Sequence, residues 1–209
     1  MAKKNKRYET SSKILKAATQ VFSEVGFAGA RVDEIAQRAG VNKATIYYNT
    51  GDKKTLYARV LQKISGEMYA HPSENIEKVL TPVGQLKAYV RNIANVIDRN
   101  PALPNIILWE HASGGKNFPE EASIEIAKMI EMLINILKEG EKQDIFIKTS
   151  PILIQFMIMG SFMLYKTSNP IRKMHTAFPR EVKKSESNLS GTIADEIEKY
   201  ILKAVKKEN

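Results

Sequence analysis

The chain has 209 residues, 43% of them hydrophobic, a formal net charge of +9 and no cysteine. It can therefore bury a core, while disulfides and cysteine-ligated metal sites are excluded. Positions 1–63 carry thirteen basic and five acidic residues, or +8, so the charge excess is concentrated in the first third. Such a concentration is typical of polyanion binding, with a generic basic surface as the alternative.

The first residues are basic and polar, and residues 1–10 are expected to form a flexible basic arm. Apolar residues spaced by three and four then predict a helix from about Ser11 or Ser12 to Val25. Gly26 is expected to end this helix, because glycine is favoured just after a helix terminus.

Two short helices follow, over residues 32–39 and 43–48. Gly40 stops the first of them, and Asn42 can cap the second by accepting a backbone N–H bond. Asp52 is the next predicted cap and begins a long helix.

The rest of the chain predicts further helices, over residues 82–98, 102–113, 119–139, 150–167 and 190–206. Residues 170–190 are basic and contain proline and serine, which predicts a mobile loop. No alternating strand pattern of useful length occurs. The predicted fold is all-α, with an N-terminal three-helix helix-turn-helix DNA-binding domain at 11–51 and a larger helical ligand-binding and dimerisation domain at 52–209.

The segment VDEIAQRAGVNKATIYY has the residues that two helices crossing at a tight turn require. Ala36 is small where the helices cross, Gly40 tolerates a positive φ in the turn, and Ile46 points back into the core. An ordinary helical hairpin needs the glycine but not this combination, so a helix-turn-helix is favoured.

Three pieces in this order, ILKAATQVFSEVGF, ARVDEIAQRAGVNKATIYY and DKKTLYARVL, resemble the TetR (AcrR-like) family of bacterial regulators. The resemblance runs from about Ile14 to Leu61. It implies a homodimer that binds an operator in double-stranded DNA and is released by a small-molecule effector. Arg31, Asn49 and Thr50 depart from the family pattern, which has Thr or Ser, His or Tyr, and Phe at these positions.

The third helix is expected to lie in the major groove and to read bases from its N-terminal end. Lys43 can donate to guanine, whereas Ala44 and Tyr48 can contact thymine methyl groups. Thr45, Tyr47 and Lys53 are assigned to phosphates, which fix the register without reading the sequence. The predicted DNA-binding residues are Arg31, Asn42, Lys43, Ala44, Thr45, Tyr47, Tyr48, Asn49 and Lys53.

The helix at 150–167 is apolar on nearly every side, which predicts burial on more than one face. We expect the last two long helices to form a four-helix bundle with a partner chain, with a core helix in a monomer as the alternative. Either Ile152, Phe156, Met159 and Met163 face inward while Met157 and Leu164 meet the partner, or the reverse.

Adaptable and aromatic side chains in the second domain suggest a pocket for a small apolar or amphipathic ligand, although each of them also suits an ordinary core. Helix geometry indicates that Trp109 and Glu110 point in different directions, and an inward acid could favour a cationic ligand. The candidate ligand residues are Met68, Tyr89, Trp109, Glu110, His111, Met132, Phe156, Met159 and Met163.

Enzymatic motifs are missing from the sequence, and the three histidines are scattered, so neither catalysis nor a cofactor is predicted. No apolar stretch reaches the length of a membrane span, and a cytoplasmic location is expected. A ligand-dependent activator and a sequence-tolerant DNA-binding protein without a ligand are the alternatives to a repressor.

Overall fold

The computed structural model describes residues 2–70, 76, 79–183 and 188–207. The helices are α1 Ala2–Gly29, α2 Val32–Ala39, α3 Lys43–Thr50, α4 Lys53–Ala70, α5 Pro82–Arg99, α6 Leu103–Ala112, α7 Glu120–Lys142, α8 Pro151–Met174, α9 Arg180–Lys183 and α10 Thr192–Val205. Within the described ranges, β pairing is limited to an isolated antiparallel bridge between Phe146 and Lys206. The predicted all-α fold is confirmed. None of the described helices combines the length and hydropathy needed to cross a membrane.

The chain divides into two compact units. The first contains the chain up to Ser65 together with residues 105–123, and the second contains the remaining described residues. The first unit therefore extends beyond the segment 11–51 that the sequence predicts, because parts of α4, α6 and α7 pack within it.

The first helix begins at Ala2, so residues 2–10 are helical in the structure, where the sequence predicts a flexible arm. The segment contains neither glycine nor proline and has several good helix formers, so it can extend a helix that its later turns anchor. Those turns bury Ile14, Val21 and Phe22 completely. The predicted break at Gly26 is present as a non-helical residue, but helical turns resume and reach Gly29.

The core of the second unit is formed where α5, α8 and α10 pack together. Its fully buried side chains include Leu86, Ile93 and Ile97 of α5 and Ile158 and Phe162 of α8. At its edge, the Arg91 guanidinium donates to Glu198 and Asp195 of α10. Apolar burial and ion pairing thus act together between α5 and α10.

The α8 helix continues through Pro170 to Met174, so the predicted loop at 170–190 begins later than the sequence indicates. The Arg172 guanidinium donates to the Tyr165 carbonyl at 2.8 Å and to the Val182 carbonyl at 3.0 Å. The bond to Val182 connects the end of α8 to α9, and the bond to Tyr165 lies within α8. A proline weakens a helix by one hydrogen bond, and packing can outweigh that loss.

Asp98 connects three parts of the second unit. Its carboxylate accepts from the Lys166 ammonium at 2.8 Å and from the backbone N–H groups of Leu189 and Ser190 at 2.8 and 2.9 Å. Partial burial alone raises the pKa of Asp98, but the bonds from Lys166, Leu189 and Ser190 outweigh burial and hold this pKa below its ordinary value.

We expect Asp98→Asn to lower the free energy of unfolding by about 1–2 kcal/mol at pH 7, because a neutral amide accepts these bonds less strongly than a carboxylate does. A lowered native pKa contributes stability above the unfolded-state pKa, and this stability is lost as the pH falls through the native pKa. The difference between wild type and variant, measured by urea unfolding, should therefore shrink below about pH 4. A difference independent of pH would contradict a role for the carboxylate charge.

Candidate nucleic-acid interface

The α2–turn–α3 segment has the helix-turn-helix geometry that the sequence predicts. Ala36 and Ile46 are buried, with 5% and 1% of their surfaces exposed. Gly40 has φ 66° and ψ 34°, the left-handed conformation that glycine adopts without strain, and its N–H donates to the Gln37 carbonyl. The turn and the two packing positions are confirmed.

The start and the end of α3 are fixed by local hydrogen bonds. The Asn42 side chain accepts from the Thr45 N–H at 2.7 Å, which confirms the predicted cap. The helix continues past Tyr48 to Thr50, which is buried and donates its hydroxyl to the Ile46 carbonyl at 2.8 Å. Threonine therefore occupies a core position without leaving its hydroxyl unpaired.

The exposed face of α3 is the candidate reading surface, and it consists of Lys43, Ala44, Tyr47 and Tyr48. The two tyrosines are 47% and 76% exposed, although their rings gain free energy from burial. Arg31 is also exposed, immediately before α2, and its side chain makes no capping bond. An exposed aromatic and basic face is suited to bases and phosphates.

Lys43 donates to the Asp33 carboxylate at 2.9 Å in the free protein. This hydrogen bond raises the pKa of Lys43, so its ammonium remains charged at neutral pH. Water screens exposed pairs of this kind, and they are weak. Lys43 can therefore exchange Asp33 for a nucleic-acid acceptor at small cost.

Two other side chains that are predicted to contact DNA donate hydrogen bonds to carbonyl groups of the protein backbone. The Asn49 amide donates to the Thr45 carbonyl at 2.7 Å. The Lys53 ammonium donates to the carbonyls of Phe27 and Ala30 at 2.9 and 3.1 Å and lies 4.5 Å from the centre of the Phe27 ring. Two of its three N–H groups thus stabilise the end of α1, and the third can face a phosphate.

Arg7 is a candidate contact residue in the basic arm, and it is not among the DNA-binding residues that the sequence predicts. Its guanidinium lies 5.4 Å from the centre of the Tyr48 ring, so the N-terminal turns of α1 reach the exposed face of α3. The basic character of residues 1–10 is the signal available in the sequence. It could not show that Arg7 meets Tyr48, because the helix carrying Arg7 was not predicted.

The candidate ligand residues are divided between the two units. In the second unit, Tyr89 is buried and donates to Gln155 at 2.7 Å, and Met163 is also buried. Met132 and Met159 are partly buried, whereas Phe156 is 61% exposed. A cavity of about 560 Å³ includes Met132 in a mixed lining: Ile76, Gln85, Lys128, Glu131, Met132, Asn135, Ile136, Lys138, Glu139 and Lys142. The Met68 side chain lies outside the described residues.

Neither predicted grouping on α8 is correct. Ile152 and Phe156 are exposed together with Met157 and Leu164, while Met163 is buried. The inward face instead combines Met163 with Ile154, Gln155, Ile158 and Phe162.

In the first unit, Trp109 is 45% exposed and Glu110 is 2% exposed, which confirms that they point in different directions. His111 is exposed. The Tyr57 hydroxyl donates to Glu110 Oε1 at 2.7 Å, and burial together with this carboxylate raises the pKa of Tyr57. The sequence does not indicate this bond, because its two residues are 53 positions apart. Within the described ranges, no three potential metal ligands come together.

Comparison with known proteins extends these observations. Residues 14–60 match the family model for bacterial regulatory proteins of the tetR family. The chain is 27% identical over 157 residues to the HTH-type transcriptional regulator RutR of Escherichia coli K12, covering 75% of this chain and 74% of RutR. It is 26% identical to the HTH-type transcriptional repressor NicS of Pseudomonas putida, covering 77% and 76%. The solved structure of the hemolysin II transcriptional regulator HlyIIR is similar, with a TM-score of 0.69, 25% identity and coverage of 97% and 99%.

Proposed function

Since this chain belongs to the TetR family of bacterial regulatory proteins, we propose that it is a homodimeric repressor, which binds a near-palindromic operator and is released by a small apolar or amphipathic ligand. The observation that carries the proposal is the exposed face of α3. This face presents Lys43, Tyr47 and Tyr48 to solvent. The opposite face of the helix is packed into the core through the buried Ile46 and Thr50. This arrangement suits insertion of α3 into a major groove.

Selection of bound sequences from random double-stranded DNA tests this proposal. A dimer with one α3 helix per chain is expected to select two inverted half-sites. Absence of any consensus would favour sequence-tolerant binding. A reporter gene placed behind the selected site then separates repression from activation, because deletion of the regulator raises expression only for a repressor.

An exposed apolar stripe on α8 supports dimerisation. Its members are Ile152, Leu153, Phe156, Met157 and Leu164, and their exposed fractions range from 42% to 61%. They recur at spacings that place them along one side of the helix, opposite the buried Ile154, Ile158 and Phe162. A contiguous apolar surface of this kind is typical of an interface, and we assign a second copy of this chain to it.

The cavity of about 560 Å³ in the second unit is the candidate effector site. Its volume is within the range of small-molecule sites, roughly 300–1,000 Å³. Met132 and Ile136 are apolar, while Lys128 and Glu131 are charged, so the lining favours an amphipathic ligand over a purely apolar one. A ligand that saturates the protein and leaves operator affinity unchanged would contradict release, because a ligand acts through its different affinities for the two states.

Tyr48→Ala and Lys53→Ala should have different effects on DNA binding. Loss of Tyr48 should relax sequence preference, since the ring is assigned to base methyl groups. Loss of Lys53 should weaken binding to all sequences alike and reduce the salt dependence by about one unit per half-site. Both are measured by titrating operator and random DNA at several salt concentrations.

Lys148→Ala is the matched control, because Lys148 is an exposed base outside the first unit. It should leave affinity and salt dependence close to wild type. Since Lys53 also bonds to two carbonyls, the stability of Lys53→Ala is measured separately, and binding is compared at a temperature where both proteins are folded. Equal loss of sequence preference in the Tyr48 and Lys53 variants would contradict this division of roles.

A further inference from the structure

A second, smaller cavity lies within the first unit, beside the end of α1 and the end of α6. Its volume is about 220 Å³, and its lining consists of Val25, Gly26, Phe27, Ala28, Trp109, Glu110, Ala112, Ser113 and Asn117. This volume is below the range typical of drug-sized ligands, roughly 300–1,000 Å³. The cavity therefore suits a molecule of few heavy atoms.

Glu110 is the acid in this lining, and its hydrogen bonding is incomplete. The Tyr57 hydroxyl donates to Oε1, whereas Oε2 is buried and has no hydrogen-bond partner among the residues that the structure describes. A buried carboxylate without a full set of partners is costly, and a charged donor relieves that cost best. Lys53 is a charged donor in the same unit, but its ammonium donates to the carbonyls of Phe27 and Ala30 rather than to Glu110.

The other walls of the cavity also suit a cation with a hydrocarbon part. The Trp109 ring packs against Gly26 and is 45% exposed, and aromatic faces attract cations. The Ser113 hydroxyl donates to the Glu110 carbonyl at 3.0 Å, so its oxygen can accept another N–H group. Val25, Ala28 and Ala112 supply apolar surface.

We propose that this cavity binds a small primary ammonium compound, with its N–H groups on the Glu110 carboxylate and the Ser113 hydroxyl. Its cationic end lies beside the Trp109 ring, and its hydrocarbon part contacts Val25, Ala28 and Ala112. Because Oε2 exposes almost no surface, binding requires the carboxylate to rotate toward the cavity. This site is separate from the candidate effector cavity of the second unit. Its test uses no DNA, so a negative result leaves the proposed regulatory function untouched.

Trp109 is the single tryptophan of the chain, and it borders both this cavity and a second cleft beside Glu24. Its fluorescence therefore responds to binding on either side of the ring, and variants identify the side. The full chain is titrated with n-butylammonium chloride, and with n-butanol in matched sodium chloride. The ammonium compound should produce a saturable change in fluorescence and raise the thermal unfolding midpoint, while the alcohol should do neither at the same concentrations. An equal response to both, or a response that does not saturate, would overturn the proposal.

Glu110→Gln keeps the shape of the side chain and removes its charge. It should raise the half-saturating concentration of n-butylammonium at least tenfold, whereas Glu120→Gln, which removes an exposed acid outside the lining, should leave it unchanged. Equal affinity in the wild type and in Glu110→Gln would also overturn the proposal. If Glu110→Gln does not fold, the titration of Glu24→Gln, which removes the acid of the other cleft beside Trp109, decides the question. An unchanged ammonium response supports the proposal, and a lost response overturns it.

Discussion

Replacing Phe156 with aspartate is expected to convert the protein into a monomer and to lower its affinity for a palindromic operator by at least about 100-fold. Phe156 lies within the apolar stripe of α8 and is 61% exposed, so the folded chain tolerates a charge there. In a dimer the same charge would be buried without a partner. Light scattering after gel filtration measures the mass, and titration of full and half operators measures the affinity.

Ile124→Asp is the matched control for this prediction. Ile124 is 49% exposed on α7, outside the two helices assigned to the dimer, so its replacement should preserve both mass and affinity. Affinity for an isolated half-site should be unchanged in Phe156→Asp, because α3 belongs to a different unit. A Phe156→Asp protein that remains a dimer would contradict the assignment of this surface.

The helix-turn-helix could be predicted because its determinants are local. Gly40 meets a requirement of the turn, and Asn42 meets a requirement of the next helix start, within a few residues of each other. Burial of Ile46 follows from the same short segment. Each of these residue types has few substitutes at its position, so the pattern alone identifies the motif.

The orientation of α8 could not be predicted, because apolar residues cover nearly all of its surface. The structure buries Gln155 and exposes Phe156, which is the reverse of a simple hydrophobic ranking. Gln155 is stabilised inside by the hydroxyl of Tyr89, a residue on α5. The inward position of Gln155 on α8 thus depends on a partner that is distant in the sequence. The hydrophobic periodicity of α8 alone cannot predict such a contact.

The same limit applies to the first unit. The spacing of Trp109 and Glu110 shows that they diverge, but it does not show which of them is buried. The hydroxyl of Tyr57 on α4 donates a hydrogen bond to the buried Glu110, and the Trp109 ring packs against Gly26 of α1. Charge and polarity predict an arm at residues 1–10, although the residue types of this segment also favour a helix.

Gly26→Ala is expected to lower the free energy of unfolding by about 2–4 kcal/mol, for two additive reasons. Gly26 has φ 68° and ψ 179°, a conformation that residues with a side chain rarely adopt. A Cβ atom there would also lie 3.1 Å from the Trp109 ring, so the ring must move. Chemical unfolding measures the loss, and the emission of Trp109 in the folded variant should shift.

Gly66→Ala is the informative control because the same chemical change should have the opposite sign. Gly66 lies inside α4, and an added Cβ would meet no atom of the described part of the chain within 4 Å. Alanine favours a helix interior over glycine by about 0.5–1 kcal/mol, so this variant should be slightly more stable than the wild type. If Gly26→Ala also proved neutral or stabilising, Gly26 would not be the residue that holds Trp109. The geometry of the small cavity, and with it the ammonium site, would then need revision.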